Sequence, residues 1–111
     1  MNKILFRIVE TDDELQQCFA VRHSVFVEEQ RIFFETDQDE YDKNAIHIVA
    51  IDNNTGKVVG TVRCNETKDG IWYGARLAVA KEFRTPPSLI GVKLSIIAEK
   101  TVADRGAKRF L

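Results

Sequence analysis

The chain has 111 residues, of which 44% are hydrophobic, and its 16 Lys and Arg against 17 Asp and Glu give a net charge of -1. This length and composition predict one globular domain spanning residues 1–111. The near-neutral charge argues against a broad basic surface for nucleic acid, and no run of about 20 apolar residues is present to cross a membrane. We therefore expect a cytoplasmic protein without a nucleic-acid or membrane partner.

The chain opens with a strand and a helix. Apolar residues alternate with their neighbours from Ile4 to Val9, which predicts a strand with one apolar face. Thr11 and Glu14 have the spacing of a capping box, so a helix is expected to begin there and to run to about Phe26. Arg22 interrupts the apolar stripe of this helix, and such a position demands a buried partner for its charge.

Residues 31–44 mix aromatic and acidic side chains without a sustained period, which predicts a long loop or a broken helix covering a site. Residues 35–42 contain five acids and no base. Cys18 and Cys64 are far apart in sequence and form no metal-ligand spacing with a histidine. We interpret both cysteines as reduced core thiols and expect no metal site.

The remaining pattern predicts a meander of strands followed by a helix. The expected elements are strands over 45–51, 57–64 and 71–79, and a helix from Ser88 or Ile90 to Arg105. Gly106 is a plausible left-handed stop, and 107–111 resembles the start of a fifth strand. The order β-α-(α/loop)-β-β-β-α-β predicts an α/β fold with a mixed, mainly antiparallel sheet flanked by helices. The last helix should make the final two strands parallel.

Three segments resemble the GNAT superfamily of acyl-CoA-dependent N-acyltransferases: 58–63 (VVGTVR), 75–79 (ARLAV), and the turn and helix from Arg84 to Leu94. A fourth, 21–30 (VRHSVFVEEQ) followed by Asp37, Asp39 and Asp42, is similar to a bacterial subgroup with a Val-Phe-Val-x-Glu-Gln segment. The resemblance covers nearly the whole chain. It implies a domain that is truncated before the family's last two strands, and the resulting open edge suggests a homodimer.

The resemblance implies acetyl-CoA as acyl donor. The main chain at Leu77, Ala78 and Val79 would pair with the pantetheine arm, and an amide there would polarise the thioester carbonyl. The pyrophosphate would lie against the turn and helix start, formed by Arg84, Leu89, Ile90, Gly91 and Val92. The pattern departs from the family at Pro86-Pro87, which removes two amide donors. The alternative is that Gly91 only relieves helix–sheet packing and that Arg84 is a solvated cation.

Direct transfer to an amine needs a group that accepts a proton, and Glu29 is the candidate base, with Glu28 as its substitute. Both could equally be surface acids at a helix end. The residues expected to bind the amine substrate are Arg22, Phe26, Asp39 and Asp42. The two aspartates would either pair with a cationic substrate or hold Arg22. No general acid is assigned, although Tyr41 and Tyr73 carry a suitable proton.

Three functions follow from these residues. The first is an acetyl-CoA-dependent N-acetyltransferase that acts directly on an amine of a small molecule. The second is an acyl-homoserine-lactone synthase, whose pattern Arg22, Phe26, Asp39, Asp42 and Arg63 resembles, although Tyr73 stands where that family has a glutamate. The third is a non-catalytic acyl-CoA-binding or interaction domain.

Overall fold

The computed structural model describes residues 3–85 and 89–111. Its elements follow the predicted order: β1 Ile4–Ile8, α1 Asp12–Arg22, β2 Ile46–Asp52, β3 Lys57–Lys68, β4 Ile71–Val79, α2 Ile90–Asp104 and β5 Arg109–Phe110. The α/β class is therefore confirmed. The Pro86-Pro87 pair and Ser88, one of the two predicted starts of α2, lie outside the described residues.

The strands form one sheet in the spatial order β1-β2-β3-β4-β5. The first four strands pair antiparallel, and β4 and β5 are parallel. This confirms the mixed, mainly antiparallel sheet. Gly56 and Gly70 take φ values of 74° and 82° in the two predicted hairpin turns, a region that glycine enters without steric cost.

One helix packs on each face of this sheet. Against α2 lies the larger core cluster, which contains Ile48, Val62 and Trp72 of the strands and Ile90 and Leu94 of the helix. The smaller cluster lies against α1 and joins Cys18 to Val49, Ile51 and Val58. Both faces of β2 and the centre of β3 are consequently covered, and all seven residues of β2 are buried.

The first helical segment, which is α1 together with the π-helix that follows it, is longer and less regular than predicted. Thr11 caps it by accepting from the Glu14 amide at 3.1 Å, but the Glu14 carboxylate accepts from the amide of Glu10 at 2.9 Å. After Arg22 the chain continues as a π-helix over His23–Glu29, so the predicted end near Phe26 is three residues short. Such wide turns often occur at functional sites.

Residues 30–45 are irregular except for one 3₁₀ turn, Glu40–Lys43, which the Asp39 side chain caps. The loop predicted for 31–44 is thus confirmed. The turn packs against β3, on the face that also carries α1, and it delivers acidic side chains to the sheet.

Both cysteines are free and buried, as predicted. Burial raises the pKa of the Cys64 thiol to about 11. Within 3–85 and 89–111, no helix has the length and apolar character that a membrane span needs.

Candidate active site

Three clefts adjoin β4: two lie along its outer edge, and the third lies across β3 and β4. The strand β5 pairs with Ile71 and Trp72, so within the described residues no strand lies on the side of β4 away from β3 from Tyr73 to Val79. The first cleft, of about 380 Å³, includes Leu77, Val79 and the start of α2. The second, of about 220 Å³, includes Gly74, Ala75 and Leu77. We call these two clefts together the β4 groove.

The third cleft, of about 390 Å³, adjoins the β4 groove at Ala75. It is lined by Asp39, Tyr41, Arg63, Asn65, Thr67, Tyr73 and Ala75, and we call it the Tyr73 cleft. The two tyrosines are 45% and 40% exposed, so their rings are accessible from solvent. Polar and aromatic side chains thus meet the apolar groove at one residue of β4.

The first cleft brings together seven of the eight residues predicted to bind acyl-CoA: Leu77, Val79, Arg84, Leu89, Ile90, Gly91 and Val92. The eighth, Ala78, is buried with 2% of its surface exposed. Ala78 could therefore contribute to this groove through its main chain but not its side chain. The sequence prediction selected residues that are neighbours in space.

The start of α2 has no side-chain cap. Leu89 precedes the helix with φ of 47°, and its carbonyl accepts the first helical hydrogen bond, from the Lys93 amide at 3.0 Å. The amides of the first helical turn have no carbonyl partner within the helix. They carry the positive end of the helix dipole, and anions bind well there.

Gly91 leaves space at this helix end. Among the described residues, a Cβ atom built there would meet only the Val79 side chain, at 3.8 Å, which is ordinary contact. At Gly60 of β3, by contrast, a Cβ atom would lie 3.1 Å from Ile90 and 3.2 Å from Leu94. Gly60, not Gly91, is therefore the glycine that lets α2 approach the sheet, and the packing alternative for Gly91 is wrong.

Arg84 and Glu29 form an ion pair at the same end of the groove. Nη1 of Arg84 donates to Oε2 of Glu29 at 2.6 Å and Nη2 donates to Oε1, while Nε donates to the Val79 carbonyl at 2.9 Å. Arg84 is thus not a freely solvated cation. The hydrogen bonds from Arg84 hold the pKa of Glu29 below its usual range, which makes this carboxylate a weaker base.

Arg22 is completely buried and sits in a network of acids. Its Nε donates to Asp37 at 2.6 Å, and Nη1 and Nη2 donate to the Asp42 carboxylate at 2.8 and 3.1 Å. Arg22 therefore has the buried partners that its charge requires. Two roles were left open for Asp42, pairing with a cationic substrate or holding Arg22, and the structure shows the second. No surface of Arg22 remains for an amine substrate, so we correct its predicted substrate-binding role to a structural one.

Asp39 does not hold Arg22. Its carboxylate accepts from Nη1 of Arg63 at 2.6 Å and from Nη2 of Arg76 at 3.1 Å. Asp39 lines the Tyr73 cleft, and it is the one predicted substrate-binding residue that does so. Phe26 lines none of the clefts described above and instead packs its ring edge-on against Phe33, with centroids 6.3 Å apart.

Burial raises the pKa of Asp42, but hydrogen bonds from Arg22, from the Asp39 amide and from Arg63 outweigh that effect. The net result is a pKa well below the usual range for an aspartate. Burial lowers the pKa of His47, whose Nε2 lies 3.0 Å from the Asp42 carbonyl oxygen. The hydrogen bonds therefore keep Asp42 ionised, and burial keeps His47 neutral near pH 7.

Comparison with known proteins decides the family. A profile of the acetyltransferase (GNAT) domain matches residues 21–89, which is more than half of the chain. A curated relative from Bacillus subtilis (strain 168), the uncharacterized N-acetyltransferase YjcF, is 35% identical over 104 residues, or 94% of this chain and 71% of that protein. The chain belongs to the GNAT family of acetyltransferases.

Solved structures share the fold of this GNAT protein. Escherichia coli ElaA superposes with a TM-score of 0.78 at 20% identity, covering 98% of this chain and 74% of ElaA. The CoA-dependent acyl-homoserine lactone synthase BjaI, solved with SAM and isopentyl-CoA, gives a TM-score of 0.80 at 18% identity, covering 97% and 65%. At these identities the likeness concerns the fold, so it does not favour the synthase function.

Family membership makes this protein an acyl-CoA-dependent N-acyltransferase, and the non-catalytic alternative is not favoured.

Sequence reasoning missed Arg76 and the role of Asp37. An arginine among apolar strand residues was the available signal for Arg76. Asp37 was seen as one of a run of acids, without a signal that it faces Arg22. In the described parts of the chain, no group of three or more His, Cys, Asp or Glu side chains could hold a metal.

Proposed function

We propose that this acetyltransferase transfers the acetyl group of acetyl-CoA directly to an amine of a small molecule. The observation that carries the proposal is the arrangement along β4. An uncapped helix end lies at one end of the β4 groove, an open main-chain edge follows, and a polar cleft joins it at Ala75. This order matches the parts of an acyl-CoA: diphosphate, pantetheine arm and thioester.

The helix end suits the diphosphate. The amides of Ile90, Gly91 and Val92 belong to the first turn of α2, and Arg84 lines the same cleft. The open space at Gly91 lets an anion approach these amides without a side chain between them. Arg84, held on the Val79 carbonyl, places a guanidinium beside them, and Glu29 pairs with that guanidinium.

The open edge of β4 suits the pantetheine arm and the thioester. We propose that main-chain groups at Leu77 and Val79 bond the arm and that an amide there donates to the thioester carbonyl. Negative charge grows on that oxygen as the amine attacks, so a fixed donor stabilises the transition state more than the ground state. Leu77 is 41% exposed, which keeps this edge accessible.

The Tyr73 cleft suits the amine substrate. Its volume of about 390 Å³ falls within the range of about 300–1,000 Å³ typical of small-molecule sites. The amine nitrogen would attack the thioester carbon, the carbon–sulfur bond would break, and the proton lost by nitrogen would balance the thiolate that leaves. Tyr41, Tyr73 and Asp39 border the cleft and are the nearest candidates for guiding that proton.

The base role of Glu29 stays a prediction. Its ion pair with Arg84 favours another role, in which Glu29 holds the guanidinium at the diphosphate end of the groove. The homodimer and the cytoplasmic location also stay predictions.

Calorimetric titration of acetyl-CoA, desulfo-CoA and ADP tests the donor site. We expect micromolar binding of acetyl-CoA and loss of binding in Gly91→Glu, because a carboxylate would occupy the space at the helix end. Ile96→Glu is the matched control, since Ile96 is 60% exposed on the same helix and lines none of the described clefts. Equal affinity in wild type and Gly91→Glu would remove this helix end from the site. An amine screen that detects released thiol then tests the transfer itself.

A further inference from the structure

The strand β4 is interrupted by a bulge in the middle of the β4 groove. Arg63 pairs with Ala75 and Thr61 pairs with Ala78, so Arg76 and Leu77 both stand opposite the single residue Val62. A bulge of this kind bends a strand and changes where the following side chains and amides point. It lies next to Ala75, where the groove meets the Tyr73 cleft.

Arg76 adopts a left-handed backbone conformation in this bulge, with φ of 56°. Arginine has no intrinsic preference for that region, since its Cβ atom is crowded there. Such a conformation persists only where the surrounding structure imposes it. The contacts of the Arg76 side chain identify what imposes it.

Three residues of the irregular segment hold the guanidinium of Arg76. Nε donates to the Asp37 carbonyl at 3.0 Å and lies 3.3 Å from the Asp37 carboxylate. Nη2 donates to the Asp39 carboxylate at 3.1 Å, and the Phe33 ring lies under the group with its centroid 4.3 Å away. The side chain is 17% exposed, so these contacts are largely shielded from water.

The acids that hold Arg76 are themselves fixed. Asp37 also binds the buried Arg22, and Asp39 also binds Arg63 on β3. The bulge is therefore tied through Arg76 to α1 and to the neighbouring strand. An acid held only by a flexible loop would move with that loop and would not fix the position of the bulge.

We propose that Arg76 is a positioning residue that fixes the bulge so that the β4 amides at Leu77 and Val79 aim at the thioester carbonyl. The inference rests on the proposed function of the β4 groove. Arg76 does not touch the substrate in this role. It acts by holding the main chain, and its removal should affect carbonyl polarisation more than donor binding.

The infrared carbonyl stretch of acetyl-CoA labelled with ¹³C at the thioester carbon reports this polarisation without an amine substrate. A hydrogen bond to the carbonyl lowers its stretching frequency, so we expect a downshift on binding to the wild type. In Arg76→Gly, which fits the positive φ but lacks the tether, we expect the downshift to fall by more than half. Affinity for desulfo-CoA should stay within about threefold of wild type.

Arg31→Gly is the matched control, because Arg31 is also an arginine with φ of 55° and is exposed. It should keep the full downshift. Arg76→Lys keeps the charge but not the planar fork of the guanidinium, and we expect an intermediate downshift. If thermal melting shows that Arg76→Gly is unfolded, the Arg76→Lys downshift provides the test in its place. A full downshift in a folded Arg76 variant would overturn the inference while leaving the proposed function standing. Absence of a downshift in the wild type would instead overturn the carbonyl contact itself, and the inference with it.

Discussion

Replacing Asp42 with asparagine should remove much of the stability of this domain. The carboxylate of Asp42 accepts hydrogen bonds from Arg22 at 2.8 and 3.1 Å, from the Asp39 amide at 2.9 Å and from Arg63 at 3.2 Å. Asparagine has nearly the same shape but no charge. Arg22, with none of its surface exposed, would then share the charge of Asp37 with Arg76.

The expected cost is about 3–5 kcal/mol, the range observed when one partner of a buried ion pair is removed. That is a large share of the roughly 5–15 kcal/mol by which domains are stable. With a urea m-value of about 1.5 kcal/mol/M, a loss of ~4 kcal/mol lowers the unfolding midpoint by about 2–3 M. Asp69→Asn is the control, since Asp69 is exposed in a turn and should change stability by less than about 0.5 kcal/mol.

Acid should erase the difference between the two proteins. The pKa of Asp42 is lower in the folded state than the value of about 3.9 expected when unfolded. Its stabilisation is therefore complete above about pH 5 and is lost as the pH falls below about 4. Urea titrations at a series of pH values should show the difference in unfolding free energy between wild type and Asp42→Asn narrowing progressively as the pH falls below about 4. A midpoint change no larger than that of Asp69→Asn at pH 7 would refute the reasoning.

Two further variants test the helix contact and the ion pair. Gly60→Ala should lower the unfolding free energy by about 1–3 kcal/mol in chemical denaturation, because its Cβ atom would lie 3.1 Å from Ile90. Gly91→Ala should be neutral or stabilising. Equal losses in the two variants would contradict the close approach of α2 to Gly60. Glu29→Gln should change the KM for acetyl-CoA, because Glu29 holds Arg84 at the diphosphate end of the groove. It should leave kcat within about threefold, because Arg84 lowers the Glu29 pKa and so makes this carboxylate a weaker base. A fall of about 10²–10⁴ in kcat with loss of the acidic limb of the pH profile would support the base role instead.

Local patterns were sufficient for the elements of this fold. Alternation in β1, the cap at Thr11, the glycine turns at Gly56 and Gly70 and the helical spacing after Ile90 each arise from contacts within a few residues. The order of these elements, with short hairpin links, restricts the sheet to a meander with one crossover. Seven of the eight residues predicted to bind the donor also line one cleft, because they belong to neighbouring segments of the sequence.

Long-range contacts decided the rest. The partners of Arg22 are 15 and 20 residues away and those of Arg76 are 37 and 39 residues away, so spacing carried no information about which acid meets which arginine. The pairing of Glu29 with Arg84 spans 55 residues. The sequence by itself thus determined the elements and which residues line the proposed donor cleft, whereas the charge network and the bulge at Arg76 exist only where separate segments pack together in the folded chain.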